Sequence, residues 1–178
     1  KYIEVTRQHY HLQGFTSDGT HMYWSFTDRL VKTTLSGTVL SQTLSPLPHE
    51  HLGGLEYYEG KLYIAAMGKR LAGDPDKRWS SFTVHVYDAA TLTLFRVMRF
   101  DDCYPEAAVY QDGFAGLGAL TVGPDPVTGE PSMMIATAIQ NSPEHNAQVV
   151  LQYSLSGKRT GRYLVPTGSN NLGIQNIS

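Results

Sequence analysis

The sequence predicts an all-β fold of repeated four-stranded units, and three observations carry that expectation. The chain writes one phrase twice: HLQGFTSDGTHMYWSF at 11–26 returns as HLGGLEYYEGKLYIAA at 51–66. His11 and His51, Leu12 and Leu52, Gly14 and Gly54, and Tyr23 and Tyr63 match at a constant offset of 40, a period in the range of stacked repeats. Eleven Tyr, seventeen Gly and nine Pro favour strands and turns over helices. No window of a dozen residues carries a 3.6-residue apolar period capped at both ends; Ala107 to Tyr110 has room for one helical turn.

In the first unit, about 11–44, Leu12 to Phe15 reads as a strand, Ser17-Asp18-Gly19 as a turn, and His21 to Phe26 and Leu30 to Leu35 as the next two strands. After a turn at Ser36-Gly37, Thr38 to Leu44 completes a meander. The second unit, about 51–100, repeats it with strands Leu52 to Tyr57, Lys61 to Ala66, Phe82 to Tyr87 and Leu92 to Phe100, its middle connection swollen to Met67–Ser81. A looser third unit, about 116–165, holds Gly116 to Gly123, a turn across Pro124 to Gly129, Ser132 to Ala138, an insertion around Asn141 to Asn146, and Val149 to Gly157. GIQNIS at 173–178 reads as the opening strand of a fourth unit. Units of this size cannot bury both faces of a sheet alone, so they stack as β-propeller blades around an axis. The expectation is three four-stranded blades plus the start of a fourth within residues 1–178, either one propeller domain or a half-propeller fragment.

The same phrases, with VHVYDAATL at 84–92, resemble the six-bladed propeller group that includes NHL-repeat and gluconolactonase-like proteins. The shared grammar is an apolar-Gly-x-aromatic strand followed by DG-x-hydrophobic-Tyr, and it covers nearly the whole chain. The resemblance implies part of a six-bladed ring. For its gluconolactonase-like members it implies a metal held by Glu, Asn and Asp near the axis, a pattern from which the histidines here depart.

Composition narrows the partners. A net charge of −2 with scattered Lys and Arg leaves no basic stripe for a phosphate backbone, so nucleic acid is not expected. The longest apolar stretch, Met133 to Ile139, is far short of the ~20 residues of a membrane helix. The single Cys103 leaves no internal disulfide and no multi-cysteine metal site. A start at Lys1 without Met or signal-like segment fits a removed leader and an extracytoplasmic origin, or a start inside a longer protein. If the chain is complete, its last strand needs a sheet to join, and a homo-oligomer is expected.

In an up-and-down blade the long connections Ser45–His51, Met67–Ser81, Asp101–Ala115, Ala138–Ala147 and Thr160–Leu172 all fall at one end, where loops on a rigid scaffold carry function. His11 and His49-Glu50-His51 enter inner strands from that end; Gln13, Glu56, Gln175 and Asn176 are further polar inner-strand positions. These seven, His11, Gln13, His49, His51, Glu56, Gln175 and Asn176, are the expected channel-lining or ligand-binding set. The first functional reading is a binding domain for a small molecule, glycan or protein. The alternative is a metal-assisted hydrolase of an ester, lactone or phosphoester, with a divalent ion on His11 and His51 and on His49 or Glu56. A third is a purely structural module, in which the histidines bond to carbonyls of the adjacent blade and knit the ring. The loop GKRLAGDPDKRW at 68–79, the acidic run DDCYPE at 101–106 and the aromatic pairs Tyr23-Trp24 and Tyr57-Tyr58 read respectively as a solvated loop, turn chemistry and inter-blade packing.

Overall fold

In the computed structural model the described residues are 11–46, 51–68, 81–100, 115–141 and 146–166, with side chains described at all of them except 115–117, 137–141 and 146. They form three four-stranded antiparallel sheets and, among the described residues, no helix. The first sheet is β1 (Leu12–Ser17), β2 (His21–Phe26), β3 (Arg29–Thr34) and β4 (Val39–Leu44). The second is β5 (His51–Tyr58), β6 (Lys61–Met67), β7 (Phe82–Asp88) and β8 (Leu94–Arg99). The third is β9 (Ala115–Pro124), β10 (Pro131–Asn141), β11 (Asn146–Ser154) and β12 (Arg159–Pro166). Each sheet is ordered as in the sequence, and β1 lies beside β5 and β5 beside β9. The first strands are therefore the inner ones, and the sheets fan out from them as propeller blades do.

Strand pairing makes the repeat a register. Phe15 pairs with Trp24, Leu55 with Ile64 and Leu120 with Ile135, so Phe15, Leu55 and Leu120 are equivalent, as are Thr16, Glu56 and Thr121 one residue on. Each sheet has an irregularity just before this point: between Leu12 and Gly14, between Leu52 and Leu55, and opposite Ala136 and Ala138. Such bulges kink the strand and increase its twist. The glycines of the repeated phrase let neighbouring inner strands close up there. A Cβ added to Gly14 would meet the Gly54 Cα at 3.0 Å. The buried Ser25 hydroxyl donates to the Gly53 carbonyl at 2.7 Å, and the Leu52 amide donates to the Thr27 carbonyl at 2.9 Å.

The cores lie between sheets rather than within one. Tyr23 and Leu30 of the first sheet meet Leu52, Leu55, Leu62 and Ile64 of the second. Val84, Val86 and Phe100 of the second meet Leu120, Ile135, Leu151 and Tyr153 of the third. The aromatic pairs split as strand alternation requires: Tyr57 packs on the first of these cores and Tyr58 on the second. Short turns close the opposite end of the sheets; at β5–β6, Glu59 (φ 47°) and Gly60 (φ 76°) are both left-handed, the geometry that matches a two-residue hairpin to strand twist.

Two connections differ from expectation. β10 runs to Asn141 and β11 starts at Asn146, so most of Ala138–Ala147 is paired strand. Likewise the segment from Thr160 is β12 as far as Pro166, paired with β11. The hydrogen-bonded ladder there outweighs side chains that are too polar to announce a strand. The segments 101–106 and 107–110, most of 68–79 and the strand expected at 173–178 lie outside the described residues. No helix among the described residues is long and apolar enough to cross a membrane.

Candidate functional site

The expected site residues divide by position on the inner strands. His11 precedes β1 and is exposed, its carbonyl accepting the Thr27 amide at 3.2 Å. His51 opens β5 opposite Met67 and is half-buried. Burial holds the His51 ring below the usual histidine pKa, and the charge of nearby His11 adds to this. The two imidazoles thus stand as neighbours at the end from which the long connections leave. Gln13, at the bulge of β1, is half-buried. His49, Gln175 and Asn176 lie outside the described residues.

The lowered pKa of His51 has a measurable sign. Below about pH 6.5 the unfolded chain protonates this ring while the folded chain resists, so the unfolded state binds more protons there. The stabilisation is complete above that pH and is lost as pH falls towards the folded pKa. Urea midpoints should therefore fall between about pH 7.5 and pH 5, and His51→Gln should flatten that slope. An identical slope in the variant would contradict the placement of His51.

Glu56 occupies a different place. It stands five residues along β5 from His51, about 16 Å at the rise of a strand. One carboxylate oxygen accepts the Thr16 hydroxyl at 2.9 Å and the Tyr57 amide at 3.0 Å; the other accepts the Thr121 hydroxyl at 3.3 Å. Three register-equivalent residues of β1, β5 and β9 thus close on one carboxylate. Sequence reading singled out Glu56 but missed Thr16 and Thr121, although Thr16 stands at the offset of 40 from Glu56. Among the described residues no three His, Cys, Asp or Glu side chains are grouped to hold a metal ion.

The short-turn end is a set of clasps. Lys32 donates to the carbonyls of Ala89 and Ala90, at 3.1 and 3.2 Å, in the β7–β8 turn of the second sheet. Arg96 reaches in the same way to the Leu155 carbonyl in the β11–β12 turn of the third. Asp18 accepts the Thr20 and His21 amides and the Tyr23 hydroxyl, and lies 3.0 Å from Nδ1 of His21. Desolvation pushes this carboxyl up, but the hydrogen bonds from His21, Tyr23 and Thr20 outweigh it and hold the group well below the usual carboxylate range. Burial and the Asp18 hydrogen bond push the Tyr23 hydroxyl up, and its ring stacks on Tyr57 at 6.2 Å and 6°. Here polar groups are spent on one another.

No family model matches the chain, and no curated protein sequence matches it significantly. Solved structures do. A protein of unknown function from Bacteroides caccae superposes with a TM-score of 0.53 at 8% identity, over 89% of this chain and 47% of its own. The Dos1 propeller superposes with a TM-score of 0.53 at 8% identity, over 92% of this chain and 37% of its own. At such identity the likeness concerns the fold, and that fold is propeller-like. The chain spans less than half the length of each of these two structures.

Proposed function

We propose that this chain is a propeller-type binding domain that recognises a small molecule, glycan or protein at the long-connection end of its inner strands, as part of a six-bladed ring related in blade grammar to NHL-repeat and gluconolactonase-like proteins. The observation that carries the reading is the contrast between the two ends. At the short-turn end, the charged groups Lys32, Arg96 and Asp18 are engaged in clasps within or between sheets. At the other end exposed His11 stands beside half-buried His51, with Gln13 at the adjoining bulge. Paired imidazoles and an amide supply donors and acceptors for hydroxyl and carboxylate groups, and ligands favour rigid scaffold ends where loops converge.

The test is to follow the ring resonances of His11 and His51 by NMR while titrating neutral and acidic oligosaccharides, small carboxylic acids and zinc chloride. Saturable shifts confined to these rings, abolished by His51→Ala with the fold intact, are the expected result. Zinc shifting both rings together would bring a divalent ion into the site. Perturbation of other surfaces only, with both rings silent to every probe, would sink the reading.

A further inference from the structure

At the long-connection end the turn between β2 and β3 is pinned to both inner strands that the histidines open. The Thr27 amide donates to the His11 carbonyl at 3.2 Å, and the Thr27 carbonyl accepts the Leu52 amide, next to His51, at 2.9 Å. The Asp28 carbonyl accepts the Ser45 amide at 2.7 Å, which ties the same turn to the end of β4. The Asp28 carboxylate takes Nε and Nη2 of Arg29 at 2.9 and 3.2 Å, so the guanidinium plane is set by the protein itself. Arg29 pairs with Leu44 across the β3–β4 ladder, and Thr43 and Gln42 precede Leu44 on β4. Beside them lies a cavity of about 350 Å³, lined among the described residues by Arg29, Gln42, Thr43 and Leu44. Its size is near the lower end of small-molecule sites, about 300–1,000 Å³.

We infer that this cavity is a subsite for a neutral sugar unit, an inference that rests on the long-connection end being the binding end and names which of its ligand classes enters there. Three chemistries compete, and the lining separates them. An anion drawn by Arg29 meets, on the same guanidinium, the Asp28 carboxylate that already balances its charge, so carboxylates and phosphates gain little. An apolar ligand finds one apolar wall, Leu44, 61% exposed, against three polar ones. A polyhydroxylated ring matches all four. The Gln42 amide and the Thr43 hydroxyl each donate and accept, Arg29 donates in a fixed plane, and Leu44 offers its surface to a C–H face. The Thr43 hydroxyl is otherwise spent on the Leu44 carbonyl at 3.5 Å, a length at which little is given up in exchange for a ligand oxygen. Because the β2–β3 turn hangs from His11 and Leu52, a longer glycan held at the His11 and His51 mouth continues over Thr27 into this cavity.

The experiment is an NMR titration of the isotope-labelled chain with glucose, galactose, N-acetylglucosamine and glucuronic acid, each over about 0.1–50 mM. It reads the Arg29 Nε–Hε and Gln42 side-chain amide resonances beside the His11 and His51 rings. Saturable shifts of Arg29 and Gln42 with at least one neutral sugar, at lower concentration than with glucuronic acid, are the expected result. Gln42→Ala, at an exposed strand position, should weaken that binding by about fivefold or more. Arg29→Lys, which keeps the charge and loses the planar fork, should do the same. Circular dichroism checks that each variant folds, and Thr43→Val takes the place of either one that does not. Shifts of the histidine rings with Arg29 and Gln42 silent would overturn the subsite and leave the proposed binding end standing. Silence of all four residues to every sugar would also overturn it, and the response of the rings to carboxylic acids and zinc then decides the binding end separately. Tighter binding of glucuronic acid than of every neutral sugar, or undiminished affinity in the folded variants, would sink the inference as well.

Discussion

Replacing Phe100 with alanine is expected to destabilise the fold by about 3–5 kcal/mol, the range for truncating a buried aromatic. Phe100 follows β8, where its amide donates to the Phe82 carbonyl at 3.1 Å. Its ring is 1% exposed and meets Tyr153 of the third sheet edge-on, with centroids 4.6 Å apart at 60°. The core it fills joins the second and third sheets, so the cavity would open at the joint between sheets rather than inside one. Natural domains have about 5–15 kcal/mol in total, and one such loss takes much of it. Urea unfolding should show a lower midpoint at unchanged slope. A cost below about 1 kcal/mol would mean that the joint collapses around the gap.

Glu56→Ala is expected to cost about 2–4 kcal/mol, because it strips three hydrogen bonds from a charged acceptor and leaves the donors of Thr16, Tyr57 and Thr121 without it. Glu56→Gln keeps one acceptor oxygen and should cost about half as much. A double-mutant cycle with Thr16→Val should return a coupling of about 0.5–3 kcal/mol. If Glu56 is instead held in place chiefly for a ligand, its removal should leave stability unchanged or raise it. The unfolding midpoints of the wild type and these variants decide between these outcomes.

The architecture was legible because the repeat is written in the residues that make contact. Gly14 and Gly54 match at the offset of 40 since the inner strands approach closely there, and Tyr23 and Tyr63 match since each fills the seam to the next sheet. Legibility failed where the ladder alone holds the strand. Gln140, Asn141 and Asn146 look like loop residues, yet they extend the β10–β11 hairpin, and β12 carries Arg159, Arg162 and Pro166 on an outer edge where no core selects apolar side chains. The site was half legible. His11, His51 and Glu56 stood out as polar residues in an apolar phrase, but which would stand together is a matter of distance along the axis. The pairing of His11 with His51, and of Glu56 with two threonines, follows from register and not from residue type.

Lys32 and Arg96 both reach forward, each from its own sheet to a turn of the following one. Linkages of this kind make the molecule behave as a short one-dimensional lattice, in which every unit borrows rigidity from the neighbour it grips. Within such a lattice the second sheet is gripped by Lys32 on one side and grips through Arg96 on the other, so among the three it is the natural place for a folding nucleus.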